Sequence, residues 1–270
     1  MSLIPQIYKD AVVSVGLKNA NGNISWIGTG FFVIRKVNEN QCKPFLVTNK
    51  HVLEGHSAIV MRMKEKESDT LIVVEAITKN GDTILYHIHD NPNIDIAVLP
   101  LDGNVIMQNN LEFPSFDIDN NALSSMELRA SGVDDGSLVY MLGFTMGRVN
   151  KTSDAPICRL GCIARIDEAQ IREEQNILID IQNFPGNSGS PIINKPEVIH
   201  IKGTPNLDRC VLVGIIHSYL PYEDKLISAQ TKKVVEIRTE NSGLAYAHPV
   251  EYITEIIDKI VPMSDKISKE

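Results

Sequence analysis

The chain has 270 residues, of which 43% are hydrophobic and 22% are charged, and its formal net charge is −8. This composition is typical of a globular protein, and the length suffices for one large all-β domain or two smaller ones. Because the chain has no run of lysine or arginine and no apolar stretch of about 18 residues, we expect neither a nucleic-acid groove nor a membrane span.

The N-terminal segment MSLIPQIYKDAVVSVG lacks the basic region, apolar core and cleavage site of a signal peptide. The four cysteines, Cys42, Cys158, Cys162 and Cys210, match no common zinc spacing and are too few for a disulfide framework. We therefore expect a cytoplasmic protein with free thiols, no metal and no cofactor, although a secreted protein without its leader would look the same. The positions of Cys158 and Cys162 favour small buried side chains on one face of a strand.

Short runs rich in valine and isoleucine follow one another through the first part of the chain. Turn residues such as NANGN (19–23) and KNGD (79–82) separate them. Short strands at regular spacing with turns between them are typical of an all-β sandwich or barrel. The predicted strands are 11–17, 26–34, 44–48, 57–63, 70–77 and 95–101.

A second set of strands follows a polar stretch at 119–136, which we interpret as a linker. These predicted strands are 137–144, 157–166, 176–182, 190–193 and 210–219. Two groups of about six strands predict an all-β fold of two six-stranded antiparallel β-barrels, within 1–118 and 137–270. In HPVEYITEIIDKIV (248–261), apolar residues at helical spacing predict a C-terminal helix that packs on a barrel.

The stretch NFPGNSGSPIIN (183–194) places small residues around one hydroxyl, that of Ser188, between two apolar segments. A surface turn would explain the glycines, but it would not explain why the flanking segments have the pattern of buried strands. Serine is a poor nucleophile at neutral pH unless a base accepts its proton and a third group orients that base. A nucleophilic Ser188 therefore requires two partners elsewhere in the chain.

Two residues of the first half fit these roles. His51, in LVTNKHVLEG, follows the end of a predicted strand, where its imidazole can act as a base. Asp95, in NPNIDIAVLPL, is a single carboxylate inside an apolar run, where burial is costly without a partner such as a histidine N–H. Each residue alone has an ordinary explanation, as a half-buried histidine, a turn cap or a turn serine. Together, in the order His, Asp, Ser, they favour a catalytic triad.

Several segments resemble the chymotrypsin-like (trypsin-like) serine peptidase family, over nearly the whole chain. The matching motifs are GTGFFV (28–33), VTNKHV (47–52), DIAVL (95–99), PGNSGSP (185–191), VGII (213–216) and AYAHP (245–249). The resemblance implies a two-barrel peptidase that cleaves polypeptides with a His51–Asp95–Ser188 triad. It also implies that the backbone N–H groups of Gly186 and Ser188 form the oxyanion hole, where a side chain at 186 would hinder the substrate carbonyl.

The chain departs from the digestive members of this family before the nucleophile. Those enzymes carry an aspartate there, which pairs with a newly cut N-terminus, whereas this chain has Asn187 and no Ile/Val-Gly-Gly site near its start. The resemblance therefore implies no activation by N-terminal cleavage. The GNSG loop is more similar to that of bacterial stand-alone members, and we expect no PDZ module.

The resemblance also indicates three candidate substrate-binding residues, Gln182, His217 and Tyr219. Gln182 lies where the family often places the floor of the primary pocket, and Tyr219 lies where a glycine often leaves that pocket open. His217 has two interpretations. It donates to Asp95, which its offset from Gly214 favours, or it lies in the primary pocket.

The sequence thus predicts a serine endopeptidase that works through an acyl-enzyme. A protease fold retained as an interaction scaffold, and a protease that needs a partner or ligand, remain alternatives. The intact triad and glycine loop argue against a pure scaffold. The charged segment 220–243 is either a solvated pair of strands or a flap at the mouth of the cleft.

Overall fold

The structure, a computed structural model, describes residues 3–68, 70–150, 152–197 and 201–262. The elements of the first half are α1 (Gln6–Asp10), β1 (Val12–Lys18), β2 (Ile24–Asn38), β3 (Gln41–Thr48), α2 (Lys50–Leu53), β4 (Ala58–Lys64), β5 (Leu71–Ile77), β6 (Lys79–Asn80), β7 (Thr83–Ile84), β8 (His87–Ile88), β9 (Ala97–Pro100), α3 (Gly103–Gln108) and β10 (Phe116–Asp117). The elements of the second half are α4 (Ser125–Ala130), β11 (Leu138–Gly143), a 3₁₀ turn (Thr145–Gly147), β12 (Ile157–Arg165), α5 (Glu168–Glu174), β13 (Ile177–Asp180), β14 (Pro191–Asn194), β15 (Leu212–Ile227), β16 (Val234–Pro249) and α6 (Val250–Ile260). The expectation of an all-β fold with a C-terminal helix is confirmed.

The first half forms one sheet in the strand order β5-β4-β1-β2-β3-β9-β8, and β10 pairs in parallel with β2. The predicted six-stranded barrel is therefore an eight-stranded sheet, whose end strands β5 and β8 do not pair with each other in the described part of the chain. The difference arises from β8 and β10, because strands of two residues leave no apolar pattern to read in a sequence.

The second half is a closed barrel of six strands, in the order β11-β12-β13-β16-β15-β14. All six ladders are antiparallel. This confirms the predicted six-stranded antiparallel barrel. The nucleophile candidate Ser188 lies in the connection between the barrel strands β13 and β14.

The segment 119–136, interpreted above as a linker, contains the helix α4. The Ser124 side chain accepts a hydrogen bond from the Glu127 N–H, and the Glu127 side chain accepts one from the Ser124 N–H. This reciprocal capping box stabilises the first turn of a short helix. The sequence SSME carried this signal, but the polar composition around it hid the helix.

One hydrophobic cluster joins the two halves through α6. It combines Phe31 and Phe45 of the first sheet with Leu212 of β15 and Ile253 and Ile257 of α6, and all five side chains are buried. Each half also has a cluster of its own. The helix therefore packs against both halves. No helix in the described ranges is both long and apolar enough to cross a bilayer.

Beyond the barrel, β15 and β16 continue as a paired hairpin, from the pair Pro221 and Asn241 to the pair Ile227 and Val234. The side chains of 221–227 and 231–240 are exposed. Of the two interpretations of this charged segment, the structure shows the pair of solvated strands. Whether the hairpin also covers the cleft stays a prediction.

The cysteines differ from one expectation. All four are free thiols, but Cys158 is exposed and Cys162 is only half-buried, whereas Cys210 is buried. Both residues do lie on one face of β12, as their spacing predicted. The neighbouring Ile163 is fully buried, so the cysteines occupy the opposite, outer face of the strand.

The packing of α6 predicts a clear difference between two of its isoleucines. Ile253→Ala removes a fully buried side chain from the shared cluster and should lower the free energy of unfolding by about 2–5 kcal/mol. Ile260→Ala, in the last turn and only partly buried, should cost clearly less. Urea denaturation of both variants measures the difference, and equal losses would contradict this role of the helix.

Candidate active site

His51 lies on the short helix α2, directly after the end of β3. Val52 and Leu53 of this helix are buried and anchor it, while the His51 side chain is 48% exposed. Asn49 precedes the helix and is completely buried, and its Nδ2 donates to the backbone oxygen of Asp95 at 2.7 Å. The helix and the Asp95 segment are therefore held together by a hydrogen bond that does not involve the imidazole.

Both carboxylate oxygens of Asp95 contact His51. Oδ1 accepts a hydrogen bond from the His51 backbone N–H at 3.0 Å, and Oδ2 lies 2.5 Å from Nδ1 of the imidazole. Because a carboxylate is an acceptor, Nδ1 carries the ring proton and Nε2 of a neutral ring is left with its lone pair. This is the tautomer in which Nε2 can accept a proton.

The environment of Asp95 favours its ionised form. Burial is the largest single influence on the carboxyl and by itself raises its pKa, but the hydrogen bonds and charge of His51 together outweigh it, so that the pKa of Asp95 is lowered. Asp95 therefore remains a carboxylate at neutral pH and can stabilise a positively charged imidazolium next to it.

The loop that carries Ser188 requires glycine at two positions. Gly186 has φ of 91° and Gly189 has φ of 88°, in the left-handed region that side chains disfavour. A Cβ atom at Gly186 would overlap the Phe144 carbonyl oxygen, and one at Gly189 would overlap the Thr29 carbonyl oxygen. The glycines of this loop thus serve close packing as well as the turn itself.

Two backbone N–H groups of this loop point away from its internal hydrogen bonds. The Pro185 carbonyl accepts from the Met146 N–H at 2.6 Å, and the Asn187 carbonyl accepts from the Ser190 N–H at 2.9 Å. Because N–H and C=O point in opposite directions across a trans peptide, the N–H groups of the following residues, 186 and 188, face the other side. Among the described residues, neither of these two N–H groups donates a hydrogen bond. They are free to bind an oxyanion.

Asn187, at the position of the digestive enzymes' aspartate, is completely buried. Its Oδ1 accepts a hydrogen bond from Thr145 Oγ1 at 2.8 Å. The side chain at this position is neutral and is held by the 3₁₀ turn that also supports Pro185. The loop thus draws its support from a neighbouring segment of the same barrel.

Thr29 of β2 connects the first sheet to the nucleophile loop. Its N–H donates to the Ser188 carbonyl at 2.9 Å, and its hydroxyl donates to the Gly186 carbonyl at 2.7 Å. The same hydroxyl accepts from the Phe144 N–H at 3.0 Å, and the Thr29 carbonyl accepts from Thr48 Oγ1 at 2.7 Å. Since Thr48 ends the strand that leads to α2, one buried threonine is bonded to both sides of the site.

The structure therefore brings His51 and Asp95 into direct contact and places Ser188 against the same sheet through Thr29. No hydrogen bond joins the His51 ring to Ser188 Oγ in the ranges that the structure describes. In unliganded enzymes, this bond is often long and tightens only when the substrate is bound.

The expected hydrogen bond from His217 to Asp95 is absent among the described residues, because both ring nitrogens of His217 have other partners. Nε2 lies 2.7 Å from Asn176 Oδ1, and Nδ1 lies 3.0 Å from Ser218 Oγ. Burial, and next the adjacent His248, lower the pKa of His217 to about 3. His217 is therefore a neutral ring stacked on His248, and its predicted contact with substrate stays a prediction.

Gln182 and Tyr219 both lie at the surface, near the base of the long hairpin. Gln182 is exposed, with its side-chain amide close to Gly243 of β16, and Tyr219 is 37% exposed. Between them the buried Asn183, which the sequence reasoning did not single out, donates from Nδ2 to the Ser218 carbonyl at 3.0 Å. The roles of Gln182 and Tyr219 in substrate binding remain predictions.

His248 of β16 is the most informative residue that the sequence reasoning missed. It lies in the motif AYAHP, is 1% exposed, and its Nε2 accepts a hydrogen bond from the Asp95 backbone N–H at 2.9 Å. The available signal was a histidine in the closing strand, next to alanines that small-residue packing would bury. Its contact with Asp95, 153 residues earlier, had no signature in the sequence.

The chain matches a known protein family over more than half of its length. A family model described as a trypsin-like peptidase domain matches residues 28–197, a range that includes His51, Asp95 and Ser188. No curated protein matches the chain significantly. Among solved structures, the chain is similar to the protease domain of MamO from Magnetospirillum magneticum in its apo form. The similarity covers 92% of this chain and 96% of that chain, with 16% sequence identity and a TM-score of 0.46.

The hydrogen bonds of Thr29 predict how two substitutions differ. Thr29→Val removes the hydroxyl and leaves the buried Phe144 N–H without an acceptor, which costs about 1–3 kcal/mol. Amide hydrogen exchange should therefore become faster in 144–147 and 185–190. Thr29→Ser retains the hydroxyl and should keep exchange in both segments near that of the wild type. Unchanged exchange in Thr29→Val would show that Thr29 does not support the loop.

Proposed function

Because the chain belongs to the trypsin-like peptidase family, we propose that it is a serine endopeptidase that cleaves polypeptides through an acyl-enzyme. The observation that carries this proposal is the pair of hydrogen bonds between Asp95 and His51. One carboxylate accepts from the His51 backbone N–H and from Nδ1 of its ring. This contact leaves His51 Nε2 without a hydrogen-bond partner among the described residues, so that it can accept a proton.

In the proposed acylation step, Ser188 Oγ attacks the carbonyl carbon of the scissile peptide bond while His51 Nε2 accepts the hydroxyl proton. The negative charge of the tetrahedral intermediate then lies on the former carbonyl oxygen, within reach of the N–H groups of Gly186 and Ser188. Removing one such donor typically costs about 10²–10³ in kcat. Asp95 stabilises the imidazolium that forms, and it is already ionised.

The intermediate collapses when His51 gives its proton to the leaving amine, which departs and leaves an ester on Ser188. In the deacylation step, His51 accepts a proton from a water molecule as the water oxygen attacks the ester carbon. The resulting tetrahedral intermediate breaks its bond to Ser188 Oγ, which takes the proton back from His51, and the carboxylic acid product departs. Both halves of the reaction use the same base and the same two N–H donors. No cofactor enters the balance of atoms or electrons.

One observation favours a second candidate, a peptidase that becomes active only when a ligand is bound. The described residues include no hydrogen bond between the His51 ring and Ser188 Oγ, so bound substrate or a partner would have to bring the two groups together. The two candidates differ in whether the isolated chain has a reactive serine.

The first test is covalent labelling of the isolated full-length chain with a fluorophosphonate probe. We expect one labelled residue, Ser188, and no label in Ser188→Ala. Ser190→Ala is the matched control in the same loop, since its hydroxyl makes no hydrogen bond among the described residues, and it should retain the label.

The labelling has three possible results, and each of them favours a different function. Label on Ser188 of the isolated wild type supports the proposed endopeptidase. Label that appears only after a peptide is added supports the ligand-dependent peptidase. A folded wild type that never accepts the label would contradict both and favour an interaction scaffold.

Replacing Asp95 by asparagine tests the orientation of the base. Asp95→Asn favours the wrong His51 tautomer and should lower kcat by about 10⁴-fold. The matched control is Asp90→Asn, an exposed carboxylate paired with Lys259, for which we expect kcat within a few-fold of the wild type. A loss below tenfold in Asp95→Asn would show that another group orients His51.

The pH profile tests the base itself. A histidine must be unprotonated to accept the serine proton, so kcat/KM should be low in acid and rise to a plateau as the pH increases. Because the pKa of Asp95 lies below its usual value, the carboxylate is already ionised over this range and one group should dominate the rise. A flat profile between about pH 5 and 8 would remove histidine from the mechanism.

A further inference from the structure

The two ring nitrogens of His248 bond two backbone groups, and together these fix its protonation. The Asp95 backbone N–H can only donate, so His248 Nε2, at 2.9 Å, must be the acceptor. Nδ1 lies 2.8 Å from the carbonyl oxygen of Gln175, which can only accept, so Nδ1 carries the proton. The ring is therefore neutral and has a single tautomer.

We infer that His248 is a positioning residue for the triad: through Nε2 it holds the Asp95 backbone so that the carboxylate meets His51. This inference rests on the proposed function of Asp95 and His51. His248 bonds the main chain of Asp95 and acts through it, without contact with the reacting atoms.

The bond from His248 comes from a different half of the molecule than the other bonds of Asp95. The carboxylate bonds His51, and the Asp95 carbonyl accepts from Asn49, and both partners belong to the first half. His248 belongs to β16 of the second barrel, which also carries Ser188. The bond at Nε2 thus fixes the position of Asp95 relative to the barrel of the nucleophile.

The surroundings of His248 allow its ring one orientation. Its imidazole stacks on that of His217 with 4.1 Å between ring centroids and 10° between planes. The ring of Tyr252 of α6 lies edge-on to another side of His248, with 6.2 Å between the two ring centroids. On the neighbouring strand β15, a Cβ atom at Gly214 would overlap the His248 carbonyl oxygen, so glycine lets the two strands approach closely. A ring that is held on these sides points the lone pair of Nε2 in one direction, toward the Asp95 N–H.

The electrostatic surroundings keep this lone pair available. Burial is the main influence that lowers the pKa of His248, while the Gln175 carbonyl and Asp95 partly oppose it. The facing titratable groups are Asp95 before β9, His217 on β15, His89 after β8 and Tyr252 on α6. Protonation of His248 at Nε2 would point an N–H at the Asp95 N–H. The lowered pKa of His248 opposes this protonation.

Two substitutions of His248 test the two hydrogen bonds of its ring one at a time. His248→Asn places its amide near the position of Nδ1 and can still bond Gln175, but it has no atom at the position of Nε2. His248→Gln places an amide oxygen near that position, where it can accept from the Asp95 N–H. His89→Asn is the control, because His89 lies beside Tyr252 and bonds Glu255 and the Asn91 N–H but not Asp95, and an asparagine oxygen can still accept from Asn91.

We expect His248→Asn to lower kcat by about 10²-fold with KM nearly unchanged, because the misplaced group is part of the base and not of the substrate site. His248→Gln should recover most of this loss, and His89→Asn should match the wild type. Equal kcat in His248→Asn and the wild type would overturn the inference. An equal loss in the asparagine and glutamine variants would also overturn it, because a purely structural role predicts no rescue.

A measurement that needs no activity keeps the inference separate from the proposed function. In chains labelled with ¹⁵N-aspartate, the Asp95 amide should give a strongly hydrogen-bonded resonance in the wild type and in His248→Gln. In His248→Asn, this resonance should shift and its proton should exchange faster. If all of the proteins are inactive but the amide responds in this way, the peptidase proposal fails and the bond stands. An Asp95 amide that is the same in all three would overturn the inference.

Discussion

The hydrogen bonds of Thr29 join the sheet that presents His51 to the barrel that presents Ser188. The two candidate reacting groups lie on different halves of the chain, and a displacement of about 1 Å between such groups costs about 10²-fold in rate. Thr29 is completely buried, and its hydroxyl, N–H and carbonyl all make hydrogen bonds. The contact with Thr29 requires glycine at position 189, because a Cβ atom there would overlap the Thr29 carbonyl oxygen.

Asp95 is the second point at which the halves meet. Its carboxylate sets the tautomer of His51, while its backbone is bonded from both sides, by Asn49 of the first half and His248 of the second. Buried polar groups of this kind are stable because each has a partner, and removing one partner leaves the other unsatisfied. The helix α6 packs against both halves, and its Tyr252 ring lies beside His248.

The strands and the contact between His51 and Asp95 could be predicted from the sequence because their signals are local. Alternating and continuous apolar runs mark the long strands, and a lone aspartate in an apolar run requires a partner. The signals failed where a contact depends on tertiary structure. His217 was expected to bond Asp95, but Asn176 and Ser218 take its ring nitrogens. His248 lies beside Asp95 only because β16 closes the second barrel.

The most direct test of the account is a crystal structure of the full chain with a phosphonate bound covalently to Ser188. We expect the phosphonyl oxygen within about 2.7–3.1 Å of the N–H groups of Gly186 and Ser188. We also expect Nε2 of His51, with the ring still bonded to Asp95, within hydrogen-bond reach of the serine oxygen. A Pro185 carbonyl turned toward the phosphonyl oxygen, or a His51 ring separated from Asp95, would contradict the account.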